Sequence, residues 1–567
     1  MSDNNNILTT PYDSVLSDGR LAWDVYPRPQ LVRDSFLSLN GKWAFGEGDS
    51  ADSEITVPFP PESALSGYGK QIASGKMTYK KTVTLPDGFI KNRLIIHFGA
   101  VDQIADLYVN GNLVMRNEGG YIPFSADITD YVTGDSFEIT LKVTDTLDQS
   151  YPYGKQRKKR GGMWYTPISG IWQTVWLESL PKKPIVSISI EQNKHCAKIK
   201  VNSEAENKKL TLHSDGSVYE FEGDEITVTP VEPKLWSPEE PYLYRFTLST
   251  DTDKIEGYFA LREIGTEQRN GISYLTLNGE PYLFSGLLDQ GYYPDGIFLP
   301  ASPEAYRDDI LLAKRLGFNT LRKHIKIEPM IFYHLCDELG IVVFQDMVNN
   351  SDYSFFRDTA LPTVGFKKID PSRFHRDALS HARFNSQATA TVELLYNTPS
   401  VLLYTIFNEG WGQFLSDKEY LIFKELDPTR IYDTTSGWFT GKLSDVDSRH
   451  VYFKTPKIKK GDGRPINLSE FGGYSLRVEG HLFGKDNYGY KLFRNEEEFT
   501  EAVSKLYREI APLTSKGLSA LIYTQLSDVE DETNGLITYD RRVVKISEER
   551  MKEANEILFS AFSEATK

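Results

Sequence analysis

The feature that most constrains this chain is a change of hydrophobic pattern near Arg262. Before it, short runs such as Met77–Leu85 and Phe137–Val143 alternate apolar and polar residues and are separated by turn residues. After it, apolar strand-like runs alternate with amphipathic helical ones, which is the pattern of parallel βα units. A chain of 567 residues also exceeds what one hydrophobic core normally serves. The switch therefore predicts all-β domains followed by an α/β domain.

The all-β part divides into two predicted sandwiches. Residues 1–181 fit a jelly-roll-like sandwich, in which Asn110-Gly111 between two apolar halves is a strong hairpin signal. Residues 182–262 contain shorter and more regular strands, with room for roughly seven strands of an immunoglobulin-like sandwich.

Residues 263–567 contain eight strand candidates, which predicts a (β/α)8 TIM barrel. Helical periodicity at Pro303–Leu316, Pro329–Leu339 and Phe374–Leu395 supplies connecting helices. The strand candidates are Tyr282–Leu288, Thr320–Ile325, Ile341–Asp346, Val401–Phe407, Ile431–Thr435, Arg449–Phe453, Ile466–Ser469 and Ala520–Thr524.

Composition excludes several classes of function. A formal net charge of −15 opposes nucleic-acid binding, and no window has the run of about 18 apolar residues that a membrane span requires. Because the first residues have neither a basic nor an apolar signal region, we expect a cytoplasmic protein, or an exported one if a signal was removed. The two cysteines, Cys196 and Cys336, predict reduced thiols and no cysteine metal site.

Polar residues follow most of the predicted barrel strands, at the face where barrel enzymes carry their active sites. Glu409 follows the fourth strand and Glu470 follows the seventh, so the two glutamates should face each other across the mouth. Glycoside hydrolysis requires two carboxyl groups, one that protonates the leaving oxygen and one that attacks the anomeric carbon or activates water. The spacing of the two groups separates retention from inversion, and sequence does not provide it.

Several segments resemble glycoside hydrolase family 2, the family of β-galactosidases, β-glucuronidases and β-mannosidases. The Asn408-Glu409 pair ends the segment that is similar to the family's acid/base motif, and Glu470 lies in the one that is similar to its nucleophile motif. The resemblance extends over nearly the whole chain, at Arg28–Gln30, Leu39–Trp43, Val57–Pro61, Tyr165–Glu178, Leu235–Glu239, Asn397–Glu409 and Ile466–Gly472.

The resemblance implies roles for individual residues. Glu409 would be the acid/base and Glu470 the nucleophile, while Asn408 would bind the sugar 2-hydroxyl and Tyr452 would orient Glu470. Two acids in these roles must differ in protonation, one neutral and one ionised. The remaining candidates are expected around the barrel mouth and along the walls of the sugar site: Arg322, His324, Asp289, Asp346, His450 and Trp438.

The predicted function is a retaining exo-β-glycosidase, β-galactosidase-like, that acts on terminal β-linked sugars. Three departures from well-known members limit the substrate assignment: Thr398 stands where a His-Pro pair is common, Tyr523–Gln525 lies where tryptophan is frequent, and no Asn-x-Lys element follows Glu470. A β-glucuronidase, a β-mannosidase, an arabinopyranosidase or a non-catalytic carbohydrate-binding protein remain alternatives.

Two surface segments complete the analysis. We expect the long loop from Tyr151 to Met163 to reach the barrel mouth. The acidic stretch Asp528–Glu532 is expected to be solvated, so the sequence predicts no metal site and no cofactor. The expected partner is a carbohydrate substrate, and the family resemblance allows a homo-oligomer although no residue pattern marks an interface.

Overall fold

A computed structural model describes residues 8–13, 20–214, 217–363, 371–452, 454–458 and 462–567. The change of pattern near Arg262 coincides with a change of architecture. Antiparallel sheets precede it, and one eight-stranded parallel sheet follows it.

The first domain packs a four-stranded sheet, ordered β1-β12-β5-β9, and a six-stranded sheet, ordered β3-β2-β4-β10-β7-β8, around one apolar core. The predicted hairpin is confirmed, because Val109 pairs with Asn112 across the two-residue turn at Asn110 and Gly111. Both turn residues have positive φ, 48° and 80°, as a tight hairpin of this kind requires. The strands are β1 Phe36–Ser38, β2 Gly41–Glu47, β3 Ser53–Val57, β4 Lys76–Thr84, β5 Arg93–Phe98, β6 Val101–Asp102, β7 Ile104–Val109, β8 Asn112–Glu118, β9 Phe124–Asp127, β10 Ser136–Thr144, β11 Gly170–Ile171 and β12 Val175–Leu180.

The second domain has seven strands in two sheets, ordered β13-β14-β17 and β16-β15-β18-β19, which fits the predicted immunoglobulin-like sandwich. Alternate residues of β13 and β14 are buried, so one face of their sheet supplies the core. The strands are β13 Ser187–Gln192, β14 Ala197–Asn202, β15 Lys209–Ser214, β16 Ser217–Glu222, β17 Glu225–Val228, β18 Tyr244–Ser249 and β19 Lys254–Phe259.

A small antiparallel sheet that the sequence analysis missed precedes the barrel. It consists of β20 (Ile264–Arg269), β21 (Ile272–Leu277) and β22 (Glu280–Pro281). Two Asn-Gly turns, at 270–271 and 278–279, join its strands and were the signal available in the sequence.

The barrel strands form a nearly closed parallel sheet, ordered β27-β26-β25-β24-β23-β32-β29-β28. All eight predicted strands are present, with ends that differ by a few residues; Phe453, the predicted end of the sixth, lies outside the described residues. Every residue of β26 and β29 is buried, as expected for parallel strands that helices cover on the outside. The strands are β23 Phe284–Asp289, β24 Thr320–Lys323, β25 Val342–Asp346, β26 Val401–Asn408, β27 Ile431–Ser436, β28 Asp447–Tyr452, β29 Ile466–Gly472 and β32 Leu518–Thr524, and a small parallel pair, β30 Tyr474–Leu476 and β31 Lys491–Phe493, follows β29.

The three predicted helices are present as α1 (Glu304–Arg315), α2 (Met330–Leu339) and α3 (Ala378–Leu395), and three more follow them: α4 (Ser416–Leu426), α5 (Glu496–Ile510) and α6 (Glu548–Thr566). Side-chain caps define several starts, since Asp377 accepts from the backbone at the start of α3 and Asn495 does so at the start of α5. None of the helices in the described part of the chain combines the length and apolarity needed to cross a membrane.

Candidate active site

Glu409 and Glu470 lie close together at the carboxyl ends of barrel strands β26 and β29. One carboxylate oxygen of Glu409, one of Glu470 and a ring nitrogen of His450 all lie within 4.8 Å of one another. Glu470 is buried, with 5% of its surface exposed, whereas the Glu409 side chain is 19% exposed. The sequence-predicted pair is therefore assembled, with the more accessible carboxyl group on the fourth strand.

Glu470 is surrounded by groups that favour its ionised form. Arg322 Nη1 donates to Glu470 Oε1 at 3.1 Å, and the Tyr452 hydroxyl donates to Oε2. Burial opposes ionisation, but His450 and Arg322 outweigh it, and with the Tyr452 hydrogen bond they lower the pKa of Glu470 to about 2. Glu470 is consequently a carboxylate at neutral pH, in the state that a nucleophile requires.

Arg322 joins three strands beneath the mouth of the barrel. Its guanidinium donates to Asp346 Oδ1 at 2.9 Å and to Asn408 Oδ1 at 2.8 Å, in addition to Glu470. His324 Nδ1 lies 2.7 Å from the second oxygen of Asp346, and burial lowers the pKa of His324, which favours the neutral ring. The planar fork of the arginine thus fixes the positions of Glu470 and Asn408 relative to each other.

His450 links the two glutamates. Its Nδ1 lies 2.8 Å from Glu409 Oε1, and its Nε2 lies 2.6 Å from Ser436 Oγ and 3.6 Å from Glu470 Oε1. The Trp438 ring meets His450 edge-on at a centroid distance of 5.5 Å. His450 is therefore held on both ring nitrogens, in a position to orient the Glu409 carboxyl group.

The backbone at Glu409 lies in the left-handed region, at φ 54°, which non-glycine residues rarely adopt. Its N–H donates to Ser436 O at 2.9 Å, and this bond ties the residue to the end of β27. Gly410 follows, also at positive φ, where a Cβ would lie only 2.2 Å from the Phe439 ring. Conformations of this kind concentrate at functional sites, where the surrounding structure enforces them.

Nine of the ten predicted site residues are joined through their side chains, whereas Asp289 meets this network through its backbone oxygen, which accepts from the His324 N–H at 2.9 Å. Asp289 Oδ2 accepts from Lys323 Nζ at 2.6 Å, and Oδ1 accepts from the backbone of Gly291. Lys323 is also paired with Glu328 at 2.9 Å. The side-chain charge of Asp289 is therefore met by a buried lysine on the neighbouring strand, and its place in the sugar site stays a prediction.

The acidic segment Asp528–Glu532, expected to be solvated, is buried instead. Asp528 pairs with Lys545 at 2.6 Å, Asp531 pairs with Arg160 at 3.1 Å, and Glu530 accepts from the Thr166 N–H. Glu532 is 4% exposed. The expectation failed because these acids face the first domain and the barrel mouth, where partners distant in sequence meet them.

Glu532 interacts electrostatically with Glu470 and was missed by the sequence analysis. Its Oε2 accepts from Gln525 Nε2 at 2.8 Å, just after β32 ends. Burial raises the pKa of Glu532 to about 7, with Glu470 adding to the effect and Lys155 opposing it. It is therefore a further carboxyl group at the mouth, in addition to those of Glu409, Glu470 and Asp346, and its pKa is raised to about 7.

The loop at residues 151–163 reaches the barrel mouth, as predicted. Tyr153 N donates to Asn349 O at 3.0 Å and its hydroxyl donates to Ser351 O at 2.8 Å. Lys155, another residue that the sequence analysis missed, is only 8% exposed and acts electrostatically on both His324 and Glu532. The first domain thus supplies one side of the cleft.

Glu409, His450 and Glu470 are the one group of three or more histidine, cysteine or acidic side chains, within the described residues, whose spacing could hold a metal ion. Both oxygens of Glu470 already accept hydrogen bonds, from Arg322 and Tyr452, and the arginine supplies positive charge. The donor set fits proton transfer and attack on an electrophilic carbon better than metal coordination.

Comparison with protein families matches three consecutive parts of the chain. Residues 53–181 match the sugar binding domain of glycosyl hydrolases family 2, residues 168–262 match a second domain of that family, and residues 274–460 match its TIM barrel domain. The order of the three is that of the observed architecture.

Individual relatives agree with this assignment. A β-galactosidase of Thermoanaerobacter pseudethanolicus is 24% identical over 71% of this chain and 61% of its own length, and a putative β-glucuronidase of Formosa agariphila is 25% identical over 66% and 35%. The chain thus spans between about a third and three fifths of these curated relatives. A β-D-glucuronidase structure from Dictyoglomus thermophilum shares the fold, with a TM-score of 0.75, 20% identity and coverage of 94% of this chain and 98% of that one. With all three of its domain models matched in order, the chain belongs to glycoside hydrolase family 2.

Proposed function

We propose that the protein is a retaining, exo-acting β-glycosidase in which Glu470 is the nucleophile and Glu409 the acid/base. The observation that carries the proposal is the spacing of the pair, whose nearest oxygens lie within 4.8 Å. Retaining enzymes hold their carboxyl groups about 5–5.5 Å apart, whereas inverting enzymes leave about 6.5–9.5 Å for a water molecule. The short spacing favours direct attack by Glu470.

In the first step, Glu470 attacks the anomeric carbon while Glu409 donates a proton to the departing glycosidic oxygen. The bond to the aglycone breaks as the ester bond to Glu470 forms. The low pKa of Glu470, about 2, keeps the attacking oxygen ionised, and Arg322 and Tyr452 hold it in place.

In the second step, Glu409 accepts a proton from water, which attacks the same carbon and displaces Glu470. Two inversions at one carbon give net retention of the β configuration. Asn408, held by Arg322 at 2.8 Å, lies beside the acid/base, where its amide can bind the sugar 2-hydroxyl. Exo action is supported by the 151–163 loop, which covers one side of the mouth.

We propose a neutral, β-galactoside-like glycone. A curated relative of this chain is named a β-galactosidase, while another relative and the similar structure described above carry β-glucuronidase names. Around the cleft, the three acidic residues Glu470, Asp346 and Glu532 already outnumber two basic residues, Arg322 and Lys155. A further negative charge on the substrate is less favourable in such surroundings than a hydroxyl group.

The test is a panel of nitrophenyl β-glycosides, with galactose, glucose, mannose, arabinopyranose and glucuronic acid, hydrolysed by wild type, Glu470→Ala and Glu409→Ala. We expect kcat to fall by roughly a thousandfold or more in the Glu470 variant. Azide should yield an α-glycosyl azide with Glu470→Ala and a β-glycosyl azide with Glu409→Ala. Nuclear magnetic resonance of the first-formed sugar should show the β anomer in wild type.

The matched control is Glu425→Ala, because Glu425 is an exposed glutamate on α4. Its rates should equal those of wild type. Activity that survives Glu470→Ala, or a first-formed α anomer, would contradict the assignment, and a preference for the glucuronide would correct the proposed glycone.

A further inference from the structure

Lys155 is a buried cation without an ion-pair partner. It is 8% exposed, and among the described residues no carboxylate oxygen lies within the 4.0 Å of an ion pair to its ammonium group. Arg160, on the same loop, does pair with the acidic segment, at 3.1 Å to Asp531. A desolvated ammonium group with no partner of its own is costly unless something else meets it.

Close backbone approach fixes the position of Lys155. Gly154, at φ 65°, lies so near the barrel that a Cβ there would stand 3.0 Å from Ile325 O, one residue beyond His324. The Tyr165 N–H donates to Lys155 O at 3.0 Å. Both contacts hold Lys155 at the junction between the first domain and the barrel mouth.

Glu532 provides the opposite charge at this junction. It is 4% exposed, and Gln525 fixes one of its oxygens at 2.8 Å. Of its neighbours, Glu530 accepts from the Thr166 N–H and Asp531 pairs with Arg160. These contacts join the 528–532 turn to the first domain near Lys155 and Glu532. Lys155 lowers the pKa of Glu532, yet the two groups form no ion pair.

Both groups also lie near the ends of barrel strands. Lys155 is next to Gly154 and so near Ile325 after β24, and Glu532 is bound by Gln525 directly after β32. Lys155 acts on His324, which binds Asp346, and Glu532 acts on Glu470. An ammonium group donates hydrogen bonds and a carboxylate accepts them, whereas a hydroxyl group does both. Such a donor and such an acceptor can therefore bind a sugar hydroxyl together.

We propose that Lys155 and Glu532 together bind glycone hydroxyl groups, Lys155 as donor and Glu532 as acceptor, and so determine which sugar the cleft accepts. This inference rests on the proposed glycosidase function and adds a specificity device from two segments outside the barrel strands. A substrate carboxylate bound by Lys155 would also be repelled by Glu532 and Glu470, so we favour the neutral ligand.

The experiment compares wild type, Lys155→Met and Glu532→Gln on the best nitrophenyl glycoside and on its 3-, 4- and 6-deoxy analogues. For the intact sugar we expect kcat/KM to fall about 10- to 100-fold in either variant, the range for losing a hydrogen bond to a charged group. For the analogue that lacks the bound hydroxyl, wild type and variants should react nearly equally, because deletion of either partner removes the same interaction.

The matched control is Lys159→Met, an exposed lysine on the same loop, which should behave as wild type on every substrate. Thermal unfolding of each variant separates misfolding from lost binding, and Glu532→Gln provides an independent arm if Lys155→Met is unstable.

The inference would be overturned if each variant lowered kcat/KM by the same factor on all three deoxy analogues as on the intact sugar. Loss of glucuronide hydrolysis alone in Lys155→Met would overturn it as well, in favour of a carboxylate-binding role. If wild type hydrolyses none of the glycosides, the proposed function fails and this inference falls with it; if wild type is active and both variants match it, only the inference fails.

Discussion

At the scale of single residues, the ionisation of Glu470 depends on three neighbours from two strands. Arg322 comes from β24, His450 from β28, and Tyr452 from the end of β28, where its hydroxyl donates to Oε2. Together they lower the pKa to about 2 against the cost of burial. The nucleophile assignment therefore predicts a defined response when one neighbour is removed.

Replacing Tyr452 with phenylalanine should raise the pKa of Glu470, because the ionised form loses a hydrogen bond. A carboxylate with a higher pKa is protonated at higher pH, so the acidic limb of the kcat/KM profile should move to higher pH. At neutral pH, kcat/KM should fall about 10- to 100-fold. Tyr432→Phe is the control, since the hydroxyl of this buried tyrosine donates to Asp427 O instead. If the acidic limb of the profile does not move in Tyr452→Phe, Tyr452 does not stabilise the ionised form of Glu470.

At the scale of elements, the 151–163 loop and the 528–532 turn complete the cleft that the barrel strands begin. The strands place Glu409 and Glu470, whereas Lys155 and Glu532 come from these two connections. Gly154 packs closely, since a Cβ at this position would stand 2.9 Å from Tyr121 Oη and 3.0 Å from Ile325 O. The position of the loop thus depends on a residue without a side chain.

Replacing Gly154 with alanine should displace the loop, because the new Cβ would lie 2.9 Å from the Tyr121 hydroxyl oxygen and 3.0 Å from Ile325 O. We expect KM to rise severalfold, with a smaller change in kcat, since the catalytic pair is anchored on strands. Gly88→Ala is the control: its φ of 69° gives similar backbone strain, but nothing lies within 4 Å. Steady-state kinetics of the two variants makes the comparison, and equal KM values would show that the loop does not shape the cleft.

The sequence was sufficient for elements and residues whose signals are local. Glu409 and Glu470 each end an apolar strand, and this alone places them at the carboxyl edge of the barrel. Asp289 occupies an equivalent position, yet Lys323 binds its side chain, and only tertiary contact determines that. Glu532 looked like a solvated acid because its surroundings come from the first domain. The Asn-Gly turns at 270–271 and 278–279 are visible in the sequence and indicate the small sheet before the barrel, but the analysis assigned this region to the barrel alone.

At the scale of the whole molecule, Asp337 joins the second domain to the barrel. It lies on α2, accepts from Tyr258 of β19 at 2.8 Å and from Ser400 N at 2.8 Å, and is fully buried. The Trp236 indole donates to its backbone oxygen at 2.8 Å. Burial is the largest influence on this carboxyl group and raises its pKa to about 7.

The folded protein should therefore lose stability as pH rises through this range. From the ordinary value of 3.8 up to about 7, the unfolded chain is ionised at Asp337 while the folded chain keeps the proton. Asp337→Asn cannot ionise, and its amide can accept from the Ser400 N–H through Oδ1 and donate to the Tyr258 hydroxyl through Nδ2, so its Tm should fall less between pH 5 and pH 8 than that of wild type. Calorimetry at one scan rate measures the Tm of both proteins at each pH. If the two Tm values change with pH in parallel, Asp337 is not the source of the pH dependence.

The junction between the first domain and the barrel has a consequence for how selectivity can change over evolutionary time. The two glutamates proposed as catalytic and Arg322 lie on barrel strands or directly after them, where a substitution disturbs the core of the barrel. Lys155 and Glu532 lie on connections, which tolerate replacement and changes of length far better. On the proposed assignment, new sugar preferences can arise through substitutions in these two loops, while the residues proposed to break the glycosidic bond stay unchanged.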